Sequence, residues 1–362
     1  ASHFAFGKQE VRERFVVEGS RAFACNYVYT NLIGNDAGRI IYDGGAMIAA
    51  GGELVAEGKR FSFHDHDLVE AVLDIEHTRM LQARTVSHRV LLGEAGDSVQ
   101  SVDFNWARAG GANTPRRREP VGKEEEFARA VGLGLFDYLR KSRSRGFVVS
   151  LSGGADSAAV ACLSQLAVQL ACAELGVDGV KRKLAYLDLP PEPDHWTAEL
   201  LTCVYQATRN SSTATSDAAR SVADGLGATF YSWDVDTIVE GYKAIVGDAL
   251  GCDWDWEEHD ITLQNIQARA RGPGVWMVAN LRSALLLATS NRSESAVGYT
   301  TMDGDTCGGL SPVGGIDKAF LRHWLRWLET VDEDWIAPVP SLGKVNALQP
   351  TAELRPGEAG QT

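Results

Sequence analysis

Short apolar runs fill the first 78 positions of the chain. After position 120, helical patterns alternate with short unbroken apolar runs. Ala22–Leu32 mixes Phe, Tyr and Val with small residues. Arg39–Tyr42, Ala46–Ala50, Glu53–Glu57 and Leu68–Ile75 are apolar runs divided by Asn-Asp, Gly-Gly and His-Asp signals. The pattern predicts strands across 1–78. Gly51-Gly52 reads as a hairpin turn between Met47-Ile48 and Leu54-Val55. His77–Arg84 reads as a helix, and the chain then turns polar. Turn formers and the basic cluster Arg116, Arg117 and Arg118 mark residues 109–118 as a solvated linker rather than a phosphate site.

From position 120 the period changes. Lys123–Lys141 carries Phe127, Val131, Leu133, Leu135, Phe136 and Leu139 on a helical face. Gly146–Leu151 reads as a buried strand, Ser157–Leu175 as a helix and Leu184–Leu189 as a strand. Thr197–Gln206 and Ser216–Leu226 read as helices, and Ala228–Trp233 as a strand. Gln264–Arg282 is a long helix that Gly272-Pro273-Gly274 should disturb, and Leu285–Thr289 is a further strand. Strands separated by helices predict an α/β fold, a doubly wound parallel sheet with ligands at the carboxyl ends of its strands. A chain of 362 residues has room for two or three domains. The expected divisions are 1–78, a linker over 79–119, and 120–362.

Composition narrows the setting. Hydrophobic residues make up 44% and charged residues 23%, which excludes disorder as the main state. The net charge of −13 argues against a broad basic face for nucleic acid, while leaving room for a local basic site. No basic region followed by an apolar core opens the chain, and no run of 18 uninterrupted apolar residues occurs. No membrane partner is expected. The six cysteines are scattered without a C-x-x-C pair, which suggests neither zinc nor a disulfide framework. A reduced, cytoplasmic chain is the expectation.

The strongest chemical signal is Phe147–Ala158, where a buried strand runs into Ser152-Gly153-Gly154-Ala155-Asp156-Ser157 and then a helix. Glycines allow close backbone approach to an anion. Free N–H groups at the helix start and two serine hydroxyls make a cradle. Without a Lys this is not the triphosphate loop G-x-x-x-x-G-K-[ST]. With Asp156 it suits a pyrophosphate held together with Mg²⁺. A bare strand–turn–helix junction is the alternative, and the full S-G-G-x-D-S string weighs against it.

That string resembles the loop of the ATP pyrophosphatases, which cleave ATP to AMP and pyrophosphate while activating a carboxylate or amide oxygen. Within that group, six further segments are similar, in order, to NAD synthetases. They are Arg209–Thr213, Leu263–Arg269, Leu287–Glu294 with Gly298-Tyr299, Ser311–Lys318, and Pro350–Leu354. The resemblance covers about residues 120–362. It implies an adenine nucleotide alpha hydrolase-like fold and a ligase that amidates deamido-NAD through a nicotinate adenylate. It also implies that ATP is bound by Ser150, Leu151, Ser152, Gly153, Gly154, Ala155, Asp156, Ser157, Thr289, Lys318 and Thr351. Ser152 and Asp156 are the expected catalytic residues. Asn265, Arg269 and Glu294 fall to deamido-NAD, and Asp156 with Glu294 to Mg²⁺. Arg271 lies near Asn265 on the same predicted helix and could serve either nucleotide. Two positions depart from the family pattern: Met302 stands where many members have Lys, and Gly309 where many have Asp. Asp303 or Asp305 could compensate.

The first 78 residues resemble the last third of a nitrilase-like glutaminase domain. The residues that carry this are Ala1–Lys8, Tyr29–Asp36, Tyr42–Ala46 and Asp74–Glu76. In glutamine-dependent NAD synthetases that domain precedes the synthetase. The resemblance assigns Ser2 and Lys8 to glutamine and puts the catalytic Glu, Lys and Cys upstream of Ala1. It puts an acidic run and a helical tail beyond Thr362. The sequence is therefore expected to be part of a longer protein in which glutamine supplies ammonia, and a homo-oligomer is expected. Cys25 falls after Ser2 and Lys8, so it is read as a buried strand cysteine and not a nucleophile. Two other readings stand beside this one. One is a different ATP pyrophosphatase, tRNA-modifying or GMP synthetase-like. The other is an inactive nucleotide-binding subunit.

Overall fold

The computed structural model describes residues 1–85, 121–349 and 353–356. Thr351 and residues 86–119 of the expected linker lie outside the described residues. The chain divides into two compact units, Ala1–Glu126 and Phe127–Thr362.

The first unit opens with a helix, α1 (Lys8–Ala22), where the strand reading of 1–78 fails. Its buried face is Arg12, Val16 and Ser20, one residue every turn. Two of those three are polar, so the helical period is hidden from a hydrophobicity count. Arg12 can be buried because Asp43 accepts two hydrogen bonds from Nη1, at 2.7 and 2.8 Å. Ser20 Oγ donates to Val17 O at 2.7 Å and accepts the Gly52 N–H at 2.9 Å.

Five strands follow: β1 (Asn26–Tyr29), β2 (Ile33–Asp36), β3 (Ile40–Asp43), β4 (Met47–Ala50) and β5 (Glu53–Glu57). They pair antiparallel as β1-β4-β5 and as β2-β3. The β4–β5 hairpin turns at Gly51-Gly52, as the sequence indicates. Val16 of α1 packs on Met47 and Ala49, with Val17, Tyr29 and Leu54 around them. Two expectations fail here. Leu68–Ile75 forms no strand; Leu68 is exposed, and Asp74 caps α2 (Ile75–Arg84) by accepting the His77 N–H at 3.0 Å. Cys25 is half-buried and precedes β1, because the chain leaves α1 through Ala24 at φ 46° before the strand begins.

The second unit alternates as expected. After α3 (Lys123–Ser142) come β6 (Phe147–Ser150), α4 (Ala155–Lys183), α5 (Trp196–Leu200) and β7 (Leu201–Ala207). Then follow α6 (Thr213–Leu226), β8 (Thr229–Asp234), α7 (Asp236–Leu250), α8 (Trp256–Arg282) and β9 (Leu285–Leu287). Three helices close the unit: α9 (Arg292–Val297), α10 (Lys318–Thr330) and α11 (Gly343–Ala347). The four strands form one parallel sheet in the order β8-β7-β6-β9. The chain moves outward from β6 to β7 and β8, then returns to the other side of β6 for β9. That reversal is the switch point of a doubly wound sheet, and the crevice beyond the carboxyl ends of β6 and β9 is where such folds hold ligands.

Two predicted elements change type. The reading of Thr197–Gln206 as one helix is replaced by short α5 and strand β7. Six of the seven β7 residues are buried, so the strand shows no apolar–polar alternation with a period of two. The strand expected at Leu184–Leu189 is a turn. The Leu184 N–H still donates to Val180 O, the Leu187 N–H donates to Leu184 O, and Pro190-Pro191 follow. Helix α4 is long and apolar enough, by length and composition, to cross a membrane. Its residues from Ser157 to Ala171 are nearly all buried inside the unit.

Helix α8 runs through Gly272-Pro273-Gly274 without ending. Pro273 lies on an exposed side, and the flanking glycines serve close approach instead. A Cβ at Gly272 would stand 3.1 Å from Asp303 O, and one at Gly274 would stand 3.1 Å from Gln206 Oε1.

Candidate functional site

The loop after β6 is built by its own small residues. Gly153 sits at φ +83°, and a Cβ there would lie 2.2 Å from Thr215 O. Only glycine lets the loop pass under α6. The hydroxyls of Ser152 and Ser157 lie 3.1 Å apart; Ser157 Oγ accepts the Ser152 N–H at 3.2 Å, and Ser152 Oγ accepts the Gly154 N–H at 3.3 Å. Gly154 is the N-cap of α4 and offers no side-chain cap. The first N–H groups of a long helix therefore face the crevice with the helix dipole behind them, a setting that favours an anion. Leu151 is buried and donates its N–H to Val204 O at 2.8 Å. Ser150 Oγ accepts from Gln206 Nε2 at 3.3 Å.

Asp156 stands in the first turn of α4 and meets residues from the β9 side. Lys318, the first residue of α10, places Nζ 3.2 Å from Asp156 Oδ2 and 3.1 Å from Glu294 Oε1. Burial raises the Glu294 pKa first and the Asp156 charge raises it further, while Lys318 pulls it down. Burial works against the Lys318 charge, yet Asp156 and Glu294 outweigh it and hold the ammonium above its ordinary value. Two carboxylates thus converge on one cationic point, and hard oxygen donors of this kind suit a hard cation. Among the described residues no group of three or more His, Cys, Asp and Glu could hold a metal ion, so phosphate oxygens or water would have to complete such a shell.

The residue that organises this point is Asn291, which the sequence reading passed over. It is fully buried and caps α9: Oδ1 accepts the Glu294 N–H at 3.0 Å, and Glu294 Oε2 accepts the Asn291 N–H at 3.5 Å. Its Nδ2 donates to Asp156 Oδ1 at 3.0 Å. The signal was present as Asn291-x-x-Glu294, a capping-box spacing. Thr289 is half-buried just past β9.

Of the three deamido-NAD candidates, Glu294 stands at this point, while Asn265 and Arg269 lie on α8. Asn265 Oδ1 accepts from Thr301 Oγ1 at 2.9 Å, and exposed Arg269 donates from Nε to Met302 O at 3.1 Å. Tyr299 Oη donates to Gln264 Oε1 at 3.2 Å, so residues 299–306 lie along α8. Met302 and Gly309 are exposed, and a Cβ at Gly309 would meet nothing closer than Leu286 O at 3.9 Å. Asp303 donates its N–H to Thr306 Oγ1, and Asp305 Oδ2 accepts the Thr301 N–H at 2.8 Å. The motif at 209–213 secures the chain's last described residues. Asn210 Nδ2 donates to Leu354 O at 3.3 Å and Ser212 donates its N–H to Glu353 Oε2 at 3.2 Å.

In the first unit Ser2 is tied down by Asn31 and Arg12: its N–H donates to Asn31 Oδ1 at 2.8 Å and its Oγ accepts from Arg12 Nε at 3.2 Å. Lys8 Nζ lies 3.4 Å from the His3 ring nitrogens. No hydrogen bond among the described residues joins Ser2 to Lys8.

An uncapped helix start behind a glycine loop, at the switch point of a parallel sheet, with two carboxylates and a lysine facing it, defines a nucleotide-binding α/β protein. Residues 128–362 match the family described as NAD synthase, and the chain belongs to that family. The glutamine-dependent NAD(+) synthetase of Bos taurus is 30% identical over all of this chain and 54% of its own length. That of Homo sapiens is 29% identical over 99% of this chain and 54% of its own. Among solved structures, a glutamine-dependent NAD(+) synthetase from Cytophaga hutchinsonii is 41% identical, with a TM-score of 0.77 over 99% of this chain and 54% of that one. A glutamine-dependent NAD+ synthetase from Acinetobacter baumannii, in complex with adenosine diphosphate, is 21% identical with a TM-score of 0.67 and shares the fold. The chain spans about half the length of the curated relatives it matches. The family match does not favour a tRNA-modifying or GMP-forming enzyme or an inactive subunit.

Proposed function

We propose that this chain carries the synthetase part of a glutamine-dependent NAD+ synthetase, amidating deamido-NAD at the expense of ATP. The observation that carries this reading is the cluster of Asp156, Glu294 and Lys318 beside the Ser152–Ser157 loop. It pairs an anion cradle with the charges needed to neutralise a leaving pyrophosphate.

In the first step a nicotinate carboxylate oxygen bonds to the α-phosphorus of ATP, and the bond from that phosphorus to the bridging oxygen of pyrophosphate breaks. Ser152, Gly153, Gly154 and Ser157 hold the departing group, Lys318 and Thr289 its neighbours, and Thr351 completes the ATP contacts. In the second step ammonia attacks the activated carbonyl, AMP leaves with the acyl oxygen, and the nitrogen gives up a proton. Asn265, Arg269 and Glu294 position deamido-NAD. Asp156 and Glu294 would hold Mg²⁺, which when bound offsets phosphate charge.

The first unit is read as the C-terminal part of a nitrilase-like glutaminase, with Ser2 and Lys8 toward glutamine. Ammonia must arrive unprotonated, since ammonium has no free pair, and a route shielded from water meets that need. The setting is read as cytoplasmic. A homo-oligomer is favoured by exposed Ile238, Tyr242, Ile245 and Leu250 along α7.

The test is direct. The full-length protein should form NAD+ and AMP from ATP, deamido-NAD and glutamine, and Asp156→Ala should lose this. Unchanged AMP release by that variant would refute the site.

A further inference from the structure

Glu353 stands in a backbone conformation that a residue with a Cβ seldom takes. Its φ is 49°, in the left-handed region. Such a conformation persists only where its surroundings hold it, and it gathers at functional sites. Here the hold falls on the next residue. Leu354 O accepts Gln267 Nε2 at 2.8 Å and Asn210 Nδ2 at 3.3 Å. Asn210 Nδ2 also donates to Gln267 Oε1 at 2.9 Å, and Gln267 is buried on α8. Two amides from separate elements thus fix the carbonyl that follows Glu353.

The held backbone delivers the Glu353 carboxylate to the start of α6. One oxygen, Oε2, accepts both the Ser212 N–H at 3.2 Å and the Thr215 hydroxyl at 2.9 Å. Helix α6 has no acidic residue in its own first turn, so this favourable charge comes from 141 positions away in the chain. Thr215 is buried, and its hydroxyl also lies 3.1 Å from Tyr205 Oη. The carbonyl of the same Thr215 is the atom that Gly153 passes so closely that a Cβ would lie 2.2 Å from it. Thr215 therefore meets Glu353 through its side chain and the Ser152–Ser157 loop through its backbone. Close packing leaves no slack between them, so a shift of the α6 start moves the loop. We propose that Glu353 is a positioning residue: through Thr215 it sets where the Ser152–Ser157 loop holds the leaving pyrophosphate. It acts at one remove from the reacting atoms and exchanges no proton. The inference rests on the reading of that loop as the pyrophosphate holder.

The test uses the full-length protein with Glu353→Gly, Glu353→Ala and Glu353→Gln, and inorganic pyrophosphate as the probe of the loop. Glycine takes the left-handed backbone freely, so Glu353→Gly removes the carboxylate while easing the strain. Its ligand-free melting midpoint should therefore stay above that of Glu353→Ala. Calorimetric titration should show both variants binding pyrophosphate roughly tenfold or more weakly, with kcat for AMP release lowered by a similar factor and the KM for deamido-NAD unmoved. Glu353→Gln keeps an oxygen where Oε2 stands and should hold pyrophosphate affinity within about threefold of the unmodified protein. Unchanged pyrophosphate affinity in Glu353→Gly would make Glu353 merely structural and overturn the proposal. So would a loss in Glu353→Gln as large as that in Glu353→Gly, because the contact to Thr215 would then not be what matters. If the unmodified protein bound pyrophosphate but released no AMP, the ATP-cleaving reading would fail, and the pyrophosphate affinities alone would still decide the role of Glu353.

Discussion

Lys318 Nζ lies 3.2 Å from Asp156 Oδ2, which ties the first residue of α10 to the first turn of α4. The same nitrogen reaches Glu294, so one ammonium serves two carboxylates from two other elements. The carboxyl of Glu294 is raised by burial and then by Asp156. A raised carboxyl binds its proton more tightly in the folded chain. Its contribution is full below the ordinary carboxyl range and is lost as pH rises through the raised value. Lys318, itself raised, limits that loss until it deprotonates above the ordinary lysine range. Lys318→Met should therefore lose thermal stability more steeply than the unmodified protein as pH rises above the ordinary carboxyl range. Parallel pH slopes would show that the ammonium does not couple the pair.

Asn291 can be dissected by two substitutions. Asn291→Ala removes the cap of α9 and should cost about 1 kcal/mol in denaturant melts. Asn291→Asp keeps a capping oxygen but sets a carboxylate against Asp156. Both should lower AMP release by roughly tenfold or more, as loss of an orienting partner does. If Asn291→Asp retained full activity, the hydrogen bond to Asp156 would be dispensable.

Gly153→Ala should unfold or strongly destabilise the second unit. Its Cβ would meet Thr215 O at 2.2 Å in a backbone conformation at φ +83°. The expected loss is at least about 3 kcal/mol. Gly154→Ala is the control, since its nearest contact would be Ser152 Oγ at 3.4 Å and its φ is −87°. Equal melting of the two variants would contradict the loop geometry.

Gly309→Asp combined with Met302→Lys restores what many family members carry. Both positions are exposed, and Gly309 has open space around a Cβ. Stability should change by no more than about 0.5 kcal/mol. Steady-state kinetics should then show a lower KM for deamido-NAD with the KM for ATP unmoved; no change in either would place that substrate's contacts elsewhere.

In the first unit Asp43 lies between two arginines, 2.7 Å from Arg12 Nη1 and 2.9 Å from Arg60 Nη2, and all three side chains are buried. Asp43→Ala leaves two guanidinium groups without their shared carboxylate. Denaturant melts should register a loss of about 3–5 kcal/mol.

The sequence made the β6–loop–α4 passage plain because its chemistry is local: apolar strand, glycines, a following helix. The β4–β5 hairpin was plain for the same reason. Helix α1 was hidden because two of its three buried positions, Arg12 and Ser20, are satisfied by hydrogen bonds, leaving Val16 as the one apolar member of the stripe. Strand β7 was hidden because burial on both faces erases the alternation that marks a strand. At the site, the loop residues could be read one after another. The role of Asn291 could not, because Asp156 lies 135 positions away in the chain and only the sheet order brings them together.

Helix α9 has six residues, and Ser295, Ala296 and Val297 on it are exposed. So short a helix does not persist on its own in water. Its cap is the same side chain that orients Asp156, one amide with its oxygen turned to the helix and its nitrogen to the carboxylate. Fraying of α9 and loosening of Asp156 are therefore a single opening event. Amide hydrogen exchange along residues 292–297 would time how often the site comes apart and re-forms.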